Sequence, residues 1–259
     1  MNQRPYILIC NDDGVFAPGI QNLISIMEEL GDIIVVAPDN PQSGMGHAIT
    51  IHSTIRVNHI FHSETKEIYS CSGTPVDSIK MAMNKLAKRV PDIVVSGINH
   101  GSNSSVNLIY SGTMSAAMEA CIEGIPAVGF SLCNHSYEAD FSACKPYIKK
   151  IVSLILENGM PKDTCLNVNI PGVPADKIKG VKLCRQAKAF WDEELDERLD
   201  PRGGKYYWLT GTFKNLDEGA DTDEWALFNN YISIVPIKID FTAYHALDFL
   251  NNWDFSIKI

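Results

Sequence analysis

The sequence predicts an α/β protein built on a doubly wound parallel sheet, and three observations carry that reading. Short uninterrupted apolar runs have strand length, helix-like segments separate them, and a polar loop follows several of the runs directly. "YILIC" (Tyr6–Cys10) opens the series as a strand covered on both faces. Ile20, Leu23, Ile24, Met27 and Leu30 then recur at helical spacing, and Gly31 stops that helix. "IIVVAP" (Ile33–Pro38) reads as a second buried strand, with the polar loop "DNPQSGMGH" behind it. Ile49, Ile51, Ile55 and Val57 fall on alternate positions and suggest an extended hairpin with one buried face. In "SGTPVDSIKMAMNKLAKR", Thr74 is placed to cap a helix, with Pro75 at its first position and Asp77 in its first turn.

"DIVVSG" is a further buried strand, followed by the loop "INHGSNSSVNLIY". The helix "SGTMSAAMEACIEG" is rich in small residues, and the strand "PAVGFSL" follows it. Phe141, Cys144, Ile148, Ile151 and Ile155 mark another helix, while "CLNVNIP" and "VKLCRQA" read as strands. Residues 189–204, "AFWDEELDERLDPRGG", carry six acids without an apolar period and read as an exposed loop or arm, open to disorder. "KYYWLTGTF" and "YISIVPIKI" are strand-like, and "TAYHALDFLNNW" a short helix. No internal repeat, low-complexity tract or clear linker interrupts the chain.

Bulk properties narrow the function classes. The 259 residues are 45% hydrophobic and 20% charged, as in an ordinary globular protein. With 22 basic against 31 acidic residues the net charge is −9, which argues against a polyanion-binding surface. An anionic ligand therefore needs a positive charge supplied locally. The seven cysteines are scattered and form no CxxC pair, so buried free thiols in a reducing compartment are expected. "ILIC" is too short for a signal-peptide core, and no apolar run reaches the ~20 residues of a membrane helix, so the expected location is cytoplasmic.

Four polar segments lie where a doubly wound sheet gathers its ligands: "NDDG", "DNPQSG", "SGINHGSN" and "YSGT". Asp12 and Asp13 are like charges side by side, and they converge only if Gly14 lets the chain turn. A hard divalent cation would relieve their repulsion, with Ser43 and Asn99 adding neutral oxygens. A plain turn with solvated carboxylates is the competing reading. Ser111–Thr113 stand before a helix, where free N–H groups and two hydroxyls make either an anion site or an ordinary N-cap. Asn99 and Asn103, in a loop with Gly97 and Gly101, suit a tight turn aiming amide side chains or a surface turn. No zinc spacing or HExxH is present. His59, His62, His100 and His135 lack a partner at diagnostic spacing; His100 stands out by its loop. Trp191, Tyr206, Tyr207 and Trp208 read as interface or core packing, or as surfaces for a base if an arm folds over the site.

Together "ILICNDDGVFAPGI", "VVAPDNPQSGMGHAIT", "SGTPVDSI", "VVSGINHGSNSSVNLIYSGTMSAAMEACIEGIPAVGFS" and "YISIVPI" resemble the SurE (survival protein E) nucleotidases, densely over residues 5–132 and thinly beyond. The resemblance implies a Rossmann-like three-layer α/β/α sandwich with a C-terminal elaboration of β-hairpin and extended tail. It implies a core at residues 1–135 holding the site, and a part at 136–259 that completes the fold and carries oligomerisation arms near 187–212 and 231–259. The implied activity is metal-dependent hydrolysis of nucleoside monophosphates, 5′ and also 3′, by metal-assisted water attack. One divalent cation per subunit, Mg²⁺, Mn²⁺ or similar, would sit on Asp12, Asp13, Ser43 and Asn99, with the two aspartates catalytic. Asn11, Gly44, Asn103, Ser111, Gly112 and Thr113 would line the phosphate pocket. Homodimers or homotetramers joined by exchanged C-terminal segments are implied, with no nucleic-acid polymer or membrane as partner. Two departures stand out: Ser105 replaces a glycine common in the family, and Tyr244 replaces a histidine, with His245 one position on. A non-catalytic nucleotide-binding protein on the same fold is the alternative. An aspartyl-phosphate mechanism is disfavoured, because "NDDGV" lacks the two-residue spacing of DxDx[TV].

Overall fold

A computed structural model describes residues 4–257; residues 1–3 and 258–259, the outermost ends of the two expected parts, lie outside the described residues. The apolar runs form the strands expected of them. β1 (Tyr6–Cys10), β2 (Asp32–Pro38), β5 (Ile93–His100) and β6 (Ala127–Cys133) are almost wholly buried, as parallel strands covered on both faces must be. With β3 (Val57–His62), β4 (Lys66–Cys71), β7 (Thr164–Pro171), β8 (Val181–Leu183) and β11 (Ile232–Lys238) they make a nine-stranded sheet in the order β3-β4-β2-β1-β5-β6-β7-β11-β8. The run from β4 to β7 is parallel, whereas β3 and β11 pair antiparallel at its flanks. Strands from both halves of the chain thus share one sheet.

Helices cover both faces. α1 (Pro18–Met27) and α5 (Lys145–Asn158) bury Ile20, Leu23, Met27, Ile148 and Val152 on one face. On the other, α2 (Pro75–Met81) and α4 (Gly112–Ile122) pack through Ile79, Met114, Ala117 and Ala120. This is the three-layer α/β/α architecture expected. α4 is buried from Gly112 to Cys121, and its small residues let it approach the sheet closely. Thr74 caps α2 with a reciprocal capping box to Asp77, behind Pro75. The seven cysteines are free thiols, six of them buried. Strand order reverses between β1 and β5, so the crevice beyond their carboxyl ends is where this fold receives ligands.

Two local expectations are corrected. Residues 49–55 form no strand: Ile49 and Ile51 are exposed, and Asp77 takes the Thr50 N–H (3.1 Å) that a ladder would need. The hairpin lies one step on, in β3 and β4. The acidic stretch is an arm, but an ordered one. β9 (Ala189–Leu199) pairs along its whole length with β10 (Lys205–Asn215). Charge pairing explains the order: Lys205 meets Glu197 at 2.8 Å, Lys214 pairs with Asp192, and Tyr207 donates to Glu197 (2.9 Å). At the tip the Asp200 carboxylate accepts the N–H groups of Arg202 (2.7 Å) and Gly204 (2.9 Å), closing the turn. The pairing partner lies beyond the acidic run itself, so the run alone carries no strand signal.

Because Thr74 also donates to the Ala48 carbonyl (2.7 Å), its hydroxyl serves both a cap and a loop anchor. Thr74→Ala is expected to lower unfolding free energy by about 1–2 kcal/mol in urea titration at fixed protein concentration. A loss below about 0.3 kcal/mol would show that the cap is redundant here.

Candidate active site

β1 ends at Cys10 and the chain turns at once. The Asn11 amide donates to the Gly14 carbonyl (3.0 Å), and Gly14 adopts φ +102°, which a side chain would resist. This turn lets the neighbouring aspartates take different partners. Asp12, 3% exposed, lies against the start of α4, where Thr113 donates its hydroxyl to the carboxylate. Gly112 is required there, because a Cβ would stand 2.6 Å from that of Asp12. Burial, then the charge of Asp13, raise the Asp12 carboxyl to about 6, against the Thr113 hydrogen bonds. Asp13 turns to β5, accepting the backbone N–H (3.4 Å) and ring Nδ1 (3.1 Å) of His100.

β5 carries a bulge where this happens. Ser96 pairs with Gly129 and Asn99 with Ser131, so three steps on β5 span two on β6. The bulge re-aims Asn99 and His100 toward the crevice. The Asn99 amide nitrogen donates to the Gly101 carbonyl (2.8 Å), leaving its oxygen as the end free for a ligand. The His100 ring is wedged edge-on against Phe141, with centroids 5.2 Å apart. Two buried atoms here lack any partner, Asn11 Oδ1 and His100 Nε2. The free end of Asn11 is thus an unpaired hydrogen-bond acceptor.

The loop after β2 is stitched to the same place. Gln42 N–H donates to the Asp12 carbonyl (2.7 Å), and Gly46 N–H to that of Tyr110 (3.2 Å). Ser43 and Gly44 are exposed between these two anchors, Gly44 at φ +77°. Ser111 caps α4 by accepting the Met114 N–H (3.0 Å), which leaves its hydroxyl hydrogen to donate outward. Asn103 is 6% exposed and gives one amide hydrogen to Ser131 (2.9 Å). The anion site expected at the start of α4 is therefore shared, since Asp12 itself takes the Thr113 hydroxyl.

Sequence reasoning passed over the support behind this loop. Asn169 on β7 accepts the Asn103 N–H (2.8 Å), Asn167 donates to the Asn103 carbonyl (2.8 Å), and Asn169 donates to Asn167 (3.0 Å). "NVNIP" showed only strand character, although asparagines inside a buried strand must find partners and could have been flagged. Asp223, the buried first residue of α6 (Asp223–Phe228), accepts the N–H of Ser105 (2.8 Å) and of Ala187 (2.9 Å). Ser105 has φ +52°, which accounts for glycine at this position elsewhere; here the bond to Asp223 and a hydroxyl bond to the Ala187 carbonyl (2.9 Å) hold the serine. Tyr244 donates its hydroxyl to Asp240 on the tail, and hydrogen bonds from Thr242 and then Tyr244 hold that carboxyl well below the ordinary carboxylate range.

The sequence profile of the family described as "Survival protein SurE" matches residues 7–193. This chain belongs to the SurE family. A protein named "5'-nucleotidase SurE" from Flavobacterium psychrophilum is 59% identical over 253 residues, covering 97% of this chain and 98% of its own. The protein of the same name from Chlorobium limicola is 43% identical over 252 residues, covering 97% of each. The crystal structure of the SurE protein from Aquifex aeolicus superposes with a TM-score of 0.82 at 36% identity, covering 95% of this chain and 98% of that one. The fold expected from the resemblance is thereby shown.

Thr113→Val keeps the shape and removes the hydrogen bond that opposes protonation of Asp12. In metal-free protein Asp12 should then titrate roughly one pH unit or more above wild type, read from its carboxyl carbon by NMR. An unmoved titration would mean the hydroxyl does not serve the carboxylate.

Proposed function

We infer that this chain is a 5′-nucleotidase, hydrolysing nucleoside 5′-monophosphates to nucleoside and phosphate; 3′-monophosphates fit the same phosphate site. The observation that carries the reading is the Asp12 carboxylate set against the start of α4, beside Asp13, at the switch point of the sheet. The names of relatives matching almost the whole chain support the activity.

A divalent cation fits the residues present. The donors are hard oxygens, two carboxylates, the Asn99 amide oxygen whose nitrogen is already engaged and the Ser43 hydroxyl on its tethered loop, and oxygen sets of this kind suit Mg²⁺ or Mn²⁺. Among the described residues no three His, Cys, Asp or Glu gather into a metal cluster, which leaves neutral oxygens to complete such a set. When bound, the cation offsets the two negative charges, polarises the phosphoryl group and makes a coordinated water more acidic.

The chain's own groups do the rest. Asp12 and Asp13 hold the cation and orient the attacking water; His100, through Nδ1, keeps Asp13 in place. Ser111 donates its hydroxyl hydrogen, and Gly112 and Gly44 their N–H groups, to phosphate oxygens. Asn103 supplies its second amide hydrogen, and Asn11 offers Oδ1 as a hydrogen-bond acceptor.

Outside the site, exposed Phe241, Phe249, Trp253 and Phe255 on the tail support assembly into a homodimer or homotetramer by exchange of C-terminal segments. Among the described residues no helix is long and apolar enough to cross a membrane, and the free thiols suit a reducing cytoplasm.

Asp12→Asn and Asp13→Asn should each lower phosphate release from AMP by about a hundredfold or more with the circular dichroism spectrum retained. Turnover near wild type in either variant, with Mn²⁺ present, would remove that residue from the reaction. Chelation should silence the wild type and added Mg²⁺ or Mn²⁺ restore it. A proton and the cation compete for Asp12, so cation affinity should hold above pH 6 and fall about tenfold per pH unit below it, measured by calorimetric titration.

A further inference from the structure

One cavity adjoins the site without belonging to it. It has a volume of about 500 Å³ and is lined by Gly44, Tyr110, Trp191, Glu193, Leu209 and Gly211, along with Thr210. One wall comes from the two loops that frame the phosphate position: Gly44 lies beside Ser43, and Tyr110 directly precedes Ser111. The other wall is the root of the β9–β10 arm. A size of this order suits a compact organic ligand.

The cavity is built to present aromatic surface. Trp191 remains 42% exposed, yet its indole is fixed, since Nε1–H donates to Asn107 Oδ1 (2.8 Å) in α3 (Asn107–Tyr110). Its other side meets Phe213 of β10 edge-on at 5.5 Å between centroids. Tyr110, the last residue of α3, is 51% exposed. The two strands of the arm come close at Gly211, where a Cβ would stand 2.6 Å from the Asp192 carbonyl, so this position of the lining takes only glycine. An exposed ring that is hydrogen-bonded into one orientation beside a phosphate site is arranged to stack on something planar.

We propose that this cavity receives the nucleobase of the substrate, stacked on Trp191, so that the root of the arm is the base subsite of the enzyme. The proposal rests on the nucleotidase reading above and names the part of that substrate the phosphate groups do not touch. Glu193 on the wall is a carboxylate acceptor, placed to take an N–H of the base. The arm acquires a role in specificity within its own subunit, and Trp191 is the specificity-determining residue.

The test compares AMP with ribose 5-phosphate, which carries the phosphate and sugar but no base, in steady-state phosphate release. Wild type should favour AMP in kcat/KM. Trp191→Ala should lower the AMP to ribose 5-phosphate ratio by about tenfold to a hundredfold, mainly through KM for AMP, as loss of one base–aromatic stack does. Trp191→Phe should restore much of it. Trp208→Ala, on the same arm but outside the cavity, controls for disturbance of the hairpin and should keep the wild-type ratio. The proposal is overturned if Trp191→Ala keeps the wild-type ratio, or if Trp208→Ala lowers it equally. If wild type releases phosphate from ribose 5-phosphate and AMP alike, the base subsite fails while the phosphatase reading stands. Release from neither overturns the nucleotidase reading itself. For Glu193→Gln, the AMP to ribose 5-phosphate ratio should fall; an unchanged ratio removes Glu193 from base binding.

Discussion

The contact between Asp12 and the first turn of α4 is the constraint on which the site depends. It joins the end of the first strand to a helix that begins about a hundred residues later, and it works only because Gly112 has no side chain to keep the two apart. Thr113 supplies the hydrogen bond, and the N-terminal end of the helix supplies positive potential. Asp12 still resists ionisation, because burial and Asp13 outweigh those contributions. The fold therefore holds a carboxyl group that gains most from a positive partner, and a cation is the partner its oxygen-rich surroundings suit.

The repulsion between adjacent acids is managed by direction. Gly14 turns the chain so that Asp12 faces α4 while Asp13 faces His100 on the bulged end of β5. Behind them, Asn103, Asn167 and Asn169 satisfy one another in the interior, and Asp223 gathers Ser105 and Ala187. These links tie the second half of the chain to the loop of the first, so the site is supported by strands whose own sequence carries no catalytic motif. A buried network of this kind is stable only when its members are all bonded.

The arm shows how charge can mislead. Six acids without an apolar period look like solvated chain, but each strand of the arm finds its complement only in the other, through Lys205, Lys214 and Tyr207. Ile49 and Ile51 mislead in the opposite sense. Their alternation suits a strand, yet the Thr50 N–H belongs to Asp77 and the segment stays outside the sheet. In both cases a long-range partner decides, and spacing within a short window does not contain it.

Local chemistry in the sequence determined a good deal by itself. Uninterrupted apolar runs require strands covered on both faces, Thr74-Pro75 and Ser111 place helix starts, and the loops after β1 and β5 collect the polar residues. These follow from burial and backbone satisfaction, which act over a few residues. Tertiary structure alone decided that Asp12 would accept from Thr113, that His100 would hold Asp13, that buried asparagines of β7 would brace Asn103, and that Trp191 would share a cavity with Gly44 and Tyr110. Each of those is a contact between residues dozens of positions apart, set by strand order and by one bulge, and no periodicity along the chain encodes it.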